Sequence, residues 1–395
     1  MKLLTFQRHW NYSNCFVVIM FFSVLFLTYI IRFSQTLSCL DDDGHTVDWF
    51  VGYKLPKGYD VVFMNADQRN WKLSKSPINE KGMMKNTFES MFKLVDKPDS
   101  VIGMYNDEIP KWTKPLGYDR ENLWWGHMKG AFAFDDTNTG FWVIHSIPKL
   151  SYTNTSYVYP RTGHTYGQHF LCVTLEKKHL KSLITQFALA RPLFQGAHIA
   201  SSLKSEFPDL AKLLQNQKVF TETQSNVIEL QTAKRSFQLN HFSKSSDFGK
   251  DLYADFVAPK LKKSLDTETW QHDGSIPSAC HRQYSVKNIE SIYIRATGTT
   301  IRNAQDHAKW AVTVPSKKPT EDTNNWICLG DINRQPHQFE RGGGTMCIQD
   351  QKLWQSFYDS VQRVEECSKT VYTIFAKRLF TRLLTLIEIV QFFNT

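Results

Sequence analysis

Apolar runs, and the polar residues that end them, set the plan of this chain. Val47-Asp48-Trp49-Phe50-Val51-Gly52-Tyr53-Lys54 is rich in β-branched and aromatic residues and stops at Leu55-Pro56-Lys57-Gly58, the pattern of a strand closed by a turn. A second strand is expected over Val61 to Met64, a helix over Asn86 to Leu94, an extended segment over Val101 to Tyr105 and a turn at Asn106-Asp107. The run Phe141-Trp142-Val143-Ile144 ends in His145-Ser146, and Trp326-Ile327-Cys328-Leu329 ends in Gly330-Asp331-Ile332-Asn333, so polar groups twice appear where a buried strand stops.

From about residue 233 the order recurs: extended Phe237 to Phe242, a helix over Asp251 to Leu265, extended Ile289 to Ile294, then the Trp326 strand. This predicts an α+β protein of two similar lobes, each a mixed sheet flanked by helices, over residues 39–232 and 233–367. Between them, residues 176–232 supply a polar crossover and one helix, marked by the spacing of Leu180, Leu183, Ile184 and Phe187. The glycine-rich Arg341-Gly342-Gly343-Gly344-Thr345 is expected to be a tight turn before Cys347, since it lacks the Lys-Ser/Thr ending of a nucleotide-binding loop.

Both ends differ from this body. Cys15 to Ile31 is a 17-residue apolar stretch, preceded by Lys2 and Arg8 and followed by Arg32, so residues 1–38 read as a cleaved signal peptide or a retained signal anchor. Residues 368–395 alternate Ile374, Phe375, Leu379, Phe380, Leu383, Leu384 and Ile387 with Lys377, Arg378 and Arg382, an amphipathic helix pattern suited to docking on the body or touching a membrane.

Composition then narrows the class. Hydrophobic content of 42% with 11 Trp and 28 Phe excludes a disordered chain. The formal charge of +9 is concentrated at the ends, leaving the body only mildly basic, but 12 of the 13 histidines lie in the body. Acid therefore makes it strongly cationic and favours a polyanionic partner. Most of these histidines are ordinary surface groups. Apart from Cys15 there are six cysteines, an even number that fits disulfides in an oxidising compartment, and no spacing suits zinc. Asn154-Thr155-Ser156 is a glycosylation acceptor in a polar stretch.

The chemistry centres on a repeated tripeptide. Gly126-His127-Met128-Lys129-Gly130 is echoed by Asp306-His307-Ala308-Lys309-Trp310. In a strand, a spacing of two puts imidazole and ammonium on one face, where both reach one small anion such as phosphate. Two copies give one imidazole to attack phosphorus, one to protonate the leaving oxygen, and two lysines to hold the charge. A third copy, His179-Leu180-Lys181, falls on the helical pattern and reads as a solvated face.

Together, Val47-Asp48-Trp49-Phe50, Tyr53-Lys54-Leu55-Pro56, both His-x-Lys segments, His145-Ser146-Ile147-Pro148, Tyr166-Gly167-Gln168, Glu268-Thr269-Trp270 and Gly330-Asp331-Ile332-Asn333-Arg334 resemble deoxyribonuclease II, the acid DNase family, over about residues 39–367. The resemblance implies a fold similar to the phospholipase D superfamily, in which two related halves bring one His-x-Lys each to a central site. It implies cleavage of DNA without a metal or other cofactor at acid pH, leaving 3′-phosphate and 5′-hydroxyl ends. One histidine is then the nucleophile and the other the acid, an assignment that near symmetry leaves reversible and that is taken here as His127 for the nucleophile and His307 for the acid, with Lys129 and Lys309 the charge stabilisers and His145 and Asn333 phosphate-orienting groups. Asp331 and Arg334 are expected to bind substrate. It also suggests the pairs Cys39–Cys172, Cys280–Cys367 and Cys328–Cys347. The superfamily's acidic residue beyond each Lys is missing, Phe134 and Val314 standing there. Two other functions fit the same residues: a secreted DNA-binding protein without turnover, and a phosphodiesterase acting on RNA or lipid headgroups.

Overall fold

The computed structural model describes residues 36–367 apart from 111–124, 154, 236, 272–273, 275 and 316–323. The apolar N-terminal stretch, Asn154 and the tail 368–395 lie outside the described residues. A short hairpin, β1 (Cys39–Leu40) with β2 (Thr46–Val47), opens the fold. An eight-stranded sheet follows from β3 (Trp49–Lys54), β4 (Val61–Asn65), β5 (Lys72–Leu73), β6 (Val101–Asn106), β7 (Lys129–Phe134), β8 (Thr139–His145), β9 (Gln168–Glu176) and β10 (Phe194–Ile199), in spatial order β10-β6-β7-β8-β9-β3-β4-β5. A second sheet holds β11 (Ser225–Gln231), β12 (Gln238–Lys244), β13 (Leu265–Glu268), β14 (Val286–Ile294), β15 (Thr299–Arg302), β16 (Trp310–Thr313), β17 (Ile327–Gly330), β18 (Gly343–Ile348) and β19 (Val361–Val364).

The internal repeat is visible as topology. β6-β7-β8-β9-β3 in the first sheet is matched by β13-β16-β17-β18-β12 in the second, in the same chain order, every neighbouring pair being antiparallel. β7 and β16, the strands that follow the two His-x-Lys segments, occupy equivalent interior positions.

Alternation along these strands explains how the layers pack. In β8, Trp142 and Ile144 enter one core while Phe141 and Val143 enter another. In β17, Ile327 and Leu329 join Trp142 and Ile144, while Cys328 faces away. The two sheets thus share a central core, completed by Trp49, Phe132, Trp310 and Met346 and by the helix Leu180–Ala190. Outside the first sheet lies the helix Met83–Phe92, and outside the second the helical segment Tyr253–Leu261. Strands covered on both faces need apolar residues at nearly every position, which is why they read as continuous runs. Burying each large side chain contributes roughly 1.5–3 kcal/mol. Disulfides join Cys39 to Cys172, Cys280 to Cys367 and Cys328 to Cys347, the last riveting directly opposed residues of β17 and β18.

Several expectations need correction. The helix expected over Asp251 to Leu265 spans only Tyr253–Leu261, beginning with a π-helical turn, and Leu265 instead opens β13. That strand, Leu-Asp-Thr-Glu, hid because two of its four positions are carboxylates, yet it is β13 and not Val286–Ile294 that corresponds to β6. The crossover 176–232 also carries strands: β10 extends the first sheet and β11 the second, which therefore starts ahead of residue 233. The glycine-rich segment is no turn, since Gly343 and Gly344 lie in the buried strand β18. Its composition reflects close approach. The helix Leu180–Ala190 ends at Arg191, left-handed at φ 60° and followed by Pro192, and a Cβ on Gly342 would stand 2.1 Å from the Ala190 carbonyl oxygen.

Arg334, expected to bind substrate, is buried and fully committed within the second sheet. Its Nε donates to Asp251 Oδ2 at 3.0 Å, Nη1 to Asn288 Oδ1 and Nη2 to the Pro277 carbonyl at 3.3 Å. Asp251 Oδ1 in turn accepts the Tyr253 N–H at 2.9 Å, so the guanidinium ties the start of the Tyr253–Leu261 segment to β14. Arg334→Ala should destabilise the fold by about 3–5 kcal/mol, because it strands a buried carboxylate. Denaturant titration measures this; a substrate-binding arginine would instead raise KM and leave the unfolding midpoint in place.

Candidate active site

In each His-x-Lys segment the middle residue fixes the outer two. Met128 and Ala308 are buried in the shared core, so the residues on either side project away from it, together. His127 and His307 lie just ahead of their strands, β7 starting at Lys129 and β16 at Trp310, a refinement of the expected in-strand placement.

The backbone laces each segment to the opposite sheet. The His127 N–H donates to the Gly342 carbonyl at 2.8 Å, and the Lys129 N–H to Asp331 Oδ1 at 3.3 Å, both acceptors from the second half. Reciprocally, the His307 N–H donates to the Gly167 carbonyl at 2.9 Å, and the Lys309 N–H to His169 Nδ1 at 3.1 Å, both from the first. Gly167 and Asp306 form a parallel bridge. A Cβ at Gly167 would stand 2.5 Å from Asp306 Oδ1, so this crossing needs glycine.

Around this lacing the side chains are ordered unequally. Asp107 receives His127 Nδ1 at 2.8 Å, Lys129 Nζ at 2.6 Å and Arg341 Nη2 at 3.0 Å. Burial alone would raise the Asp107 carboxyl, but His127, Lys129 and Arg341 outweigh it and hold the group well below the usual carboxylate range. With its Nδ1 on a carboxylate, His127 carries the proton there and leaves Nε2 as a buried lone pair without a partner among the described residues. Burial lowers His127 to about 4, against the pull of Asp107. Lys129 resists burial through Asp107 and Glu108 and stays above its ordinary value.

Among the described residues the second copy has no such carboxylate. His307 Nδ1 faces the Ser146 carbonyl at 2.9 Å and Gln168 Oε1 at 3.2 Å, and Lys309 Nζ donates to the carbonyl of His307 at 2.6 Å. Burial and then the charges of Lys309, Lys129 and His127 push His307 well below its ordinary value, so the other three groups of the two copies all act on His307. Burial and Lys129 take Lys309 down to about 7.

The remaining expected residues separate into two groups. Asp331 sits inside the cluster: its Oδ1 accepts the Lys129 N–H, its Oδ2 is buried without a partner among the described residues, and burial pushes its carboxyl up to about 8. His145 is fully buried, with Nδ1 accepting the Ile147 N–H at 3.1 Å, and burial followed by the Lys129 charge lowers it to about 3. Asn333 Oδ1 accepts the Trp270 N–H at 3.2 Å, and the Trp270 ring contacts His307. His179, by contrast, closes the short turn Lys177–His179, and Lys181 is exposed on the helix that follows. Sequence reasoning missed Asp107, Arg341 and His169. Asp107 had a signal, since it follows β6, whose Asn106 pairs with Lys129. Arg341 and His169 had none, because only the pairing between halves brings them in.

The family model for Deoxyribonuclease II matches residues 38–367. Deoxyribonuclease-2-beta of Homo sapiens is 31% identical over 361 residues, 88% of this chain and 96% of its own. Deoxyribonuclease-2 of Caenorhabditis elegans is 33% identical over 363 residues, 82% of this chain and 93% of its own. A yeast tyrosyl-DNA phosphodiesterase structure overlaps 62% of this chain and 69% of its own at 9% identity with a TM-score of 0.26, too low to carry an argument. By the extent of the family match and the length of these alignments, the chain belongs to the deoxyribonuclease II family.

Proposed function

We propose that this DNA-hydrolysing nuclease is an acid endonuclease that works through a phosphohistidine without a metal ion and leaves 3′-phosphate and 5′-hydroxyl ends. The observation that carries the reading is the pairing of His127 Nδ1 with Asp107, which leaves an Nε2 unpartnered among the described residues, on an imidazole close enough to His307 to depress it. Nε2 of His127 attacks phosphorus, the bond from phosphorus to the 5′ oxygen breaks, and protonated His307 gives that oxygen its proton. His307 then takes a proton from water, whose oxygen displaces His127 from phosphorus. Lys129 and Lys309 carry the charge of the non-bridging oxygens. Asp331, neutral over the acid range, is suited to donate to a phosphate oxygen, while Asn333 and His145 hold neighbouring groups in place.

Burial accounts for the acid requirement. Both imidazoles are neutral at pH 7, and the acid role needs one proton, which a depressed imidazole takes up only as pH falls. Three disulfides and this demand for acid fit the secretory route, secreted or lysosomal.

Nicking of supercoiled plasmid at pH 5 in excess chelator tests the reading. The chain should cut, His127→Ala and His307→Ala should each lose at least about 10²-fold in rate, and His179→Ala should match the parent. Inhibition by chelator, or full activity in either active-site variant, would sink the paired-histidine mechanism. A DNA-binding protein without turnover would retain plasmid uncut.

Asp107 has its own signature. Asp107→Asn removes the charge that raises His127, so the His127 pKa, already about 4, falls further. A nucleophile must be neutral; the acid-side limb of kcat should therefore shift to lower pH while the plateau drops roughly 10²-fold or more. A kcat–pH series reads both, and an acid limb that stays in place or moves to higher pH counts against Asp107 as the partner of the nucleophile.

A further inference from the structure

Two aromatic rings that the proposed reaction does not use meet beside His307, one from each half of the chain. Tyr166 and Trp270 have ring centroids 4.7 Å apart at 79°, and Trp270 lies 5.3 Å from the His307 ring at 71°. Neither position is accidental. The Trp270 N–H is held by Asn333 Oδ1, and the preceding Thr269 receives Asn303 Nδ2 on its carbonyl at 2.8 Å and the Arg334 N–H on its hydroxyl at 3.2 Å. Tyr166 immediately precedes Gly167, whose carbonyl accepts the His307 N–H. Both rings are thus pinned to the groups that place His307.

Exposure separates them, together with His307, from the buried part of the site. His127, Lys129, Lys309, Asp331 and Asn333 are buried, whereas Tyr166 and Trp270 are half-buried. They flank His307, while Asp107 holds His127 of the other copy. A nucleic-acid strand offers aromatic surfaces only through its bases, and base stacking on aromatic side chains tolerates any sequence.

We propose that Tyr166 and Trp270 form a nucleobase subsite for the leaving side of the scissile phosphate, taking the base of the nucleotide whose 5′ oxygen His307 protonates. The assignment rests on the nuclease reading and on His307 as the acid. A base held on these rings has left its neighbours in the helix stack, so the strand enters the site single-stranded or locally opened.

Single-stranded oligonucleotides with one cleavable linkage, the others being nuclease-resistant, test this at pH 5. One version keeps the leaving nucleoside's base, a second replaces that nucleoside by an abasic analogue, and a third is abasic on the other side of the phosphate. The parent protein should cut the intact strand roughly tenfold or more faster than the leaving-side abasic strand, with a smaller penalty for the third. Trp270→Ala should bring the first ratio close to one by slowing the intact strand, and Trp270→Phe should keep most of the ratio. If Trp270→Ala slows intact and abasic strands by the same factor, the ring only positions His307 and the subsite is overturned. Indifference of the parent protein to the missing base overturns it as well. Failure of the parent protein to cut any strand would instead remove the nuclease reading, and the subsite with it.

Discussion

The structure depends on a reciprocal exchange of backbone hydrogen bonds between its two sheets. Each His-x-Lys segment hangs from its own strand, β7 or β16, but its histidine N–H is held by a glycine carbonyl of the other half, Gly342 or Gly167. Each half thus relies on the other to hold its His-x-Lys segment. The shared core of Trp49, Trp142, Trp310 and Met346 sets the distance between the sheets, and the absence of a Cβ at Gly342 and Gly167 lets the segments cross it. Side-chain volume in the core and missing side chains at the crossing thus serve the same end.

Near symmetry of the backbone makes the asymmetry of the side chains informative. The first copy draws Asp107 from the end of β6; the second has a backbone carbonyl and an amide oxygen in the equivalent role. A carboxylate fixes both the tautomer and the orientation of the imidazole and stabilises positive charge on it, as attack on phosphorus requires. A carbonyl fixes tautomer only, and leaves proton affinity to the surroundings, which suits a group that must release its proton. In the proposed mechanism the division of labour follows from one residue at the end of one strand, Asp107.

How far the sequence disclosed this depends on whether a feature is local. The apolar strands and the His-x-Lys pairs were legible because strand periodicity and a spacing of two are properties of a few consecutive residues. β13 was not, since Asp266 and Glu268 read as exposed until the fold buries them in a strand held between β14 and β16. Arg334 misled for the opposite reason: an arginine after a polar strand end looks available until Asp251, far away in sequence, is seen to occupy it. The glycine-rich segment gave a true signal, that a Cβ is not tolerated, but composition alone does not say whether a turn or the approach of another backbone is the cause.

Burial also sets how stability responds to acid, and here two sets of groups oppose each other. His127, His145 and His241 have native values lowered to about 4, 3 and 3 from 6.5, so the stability they contribute is present above pH 6.5 and is lost as pH falls toward those values. Asp331, Asp306 and Asp266 have native values raised to about 8, 6 and 6 from 3.8, so their contribution is fully present below pH 3.8 and is lost as pH rises through the native values. Near pH 5 the first set is weakening the fold while the second still supports it. Buried imidazoles alone would weaken the fold on the proton that the proposed mechanism needs; the carboxyls of Asp331 and Asp306, beside the two His-x-Lys segments, oppose that loss by taking up protons in the native state.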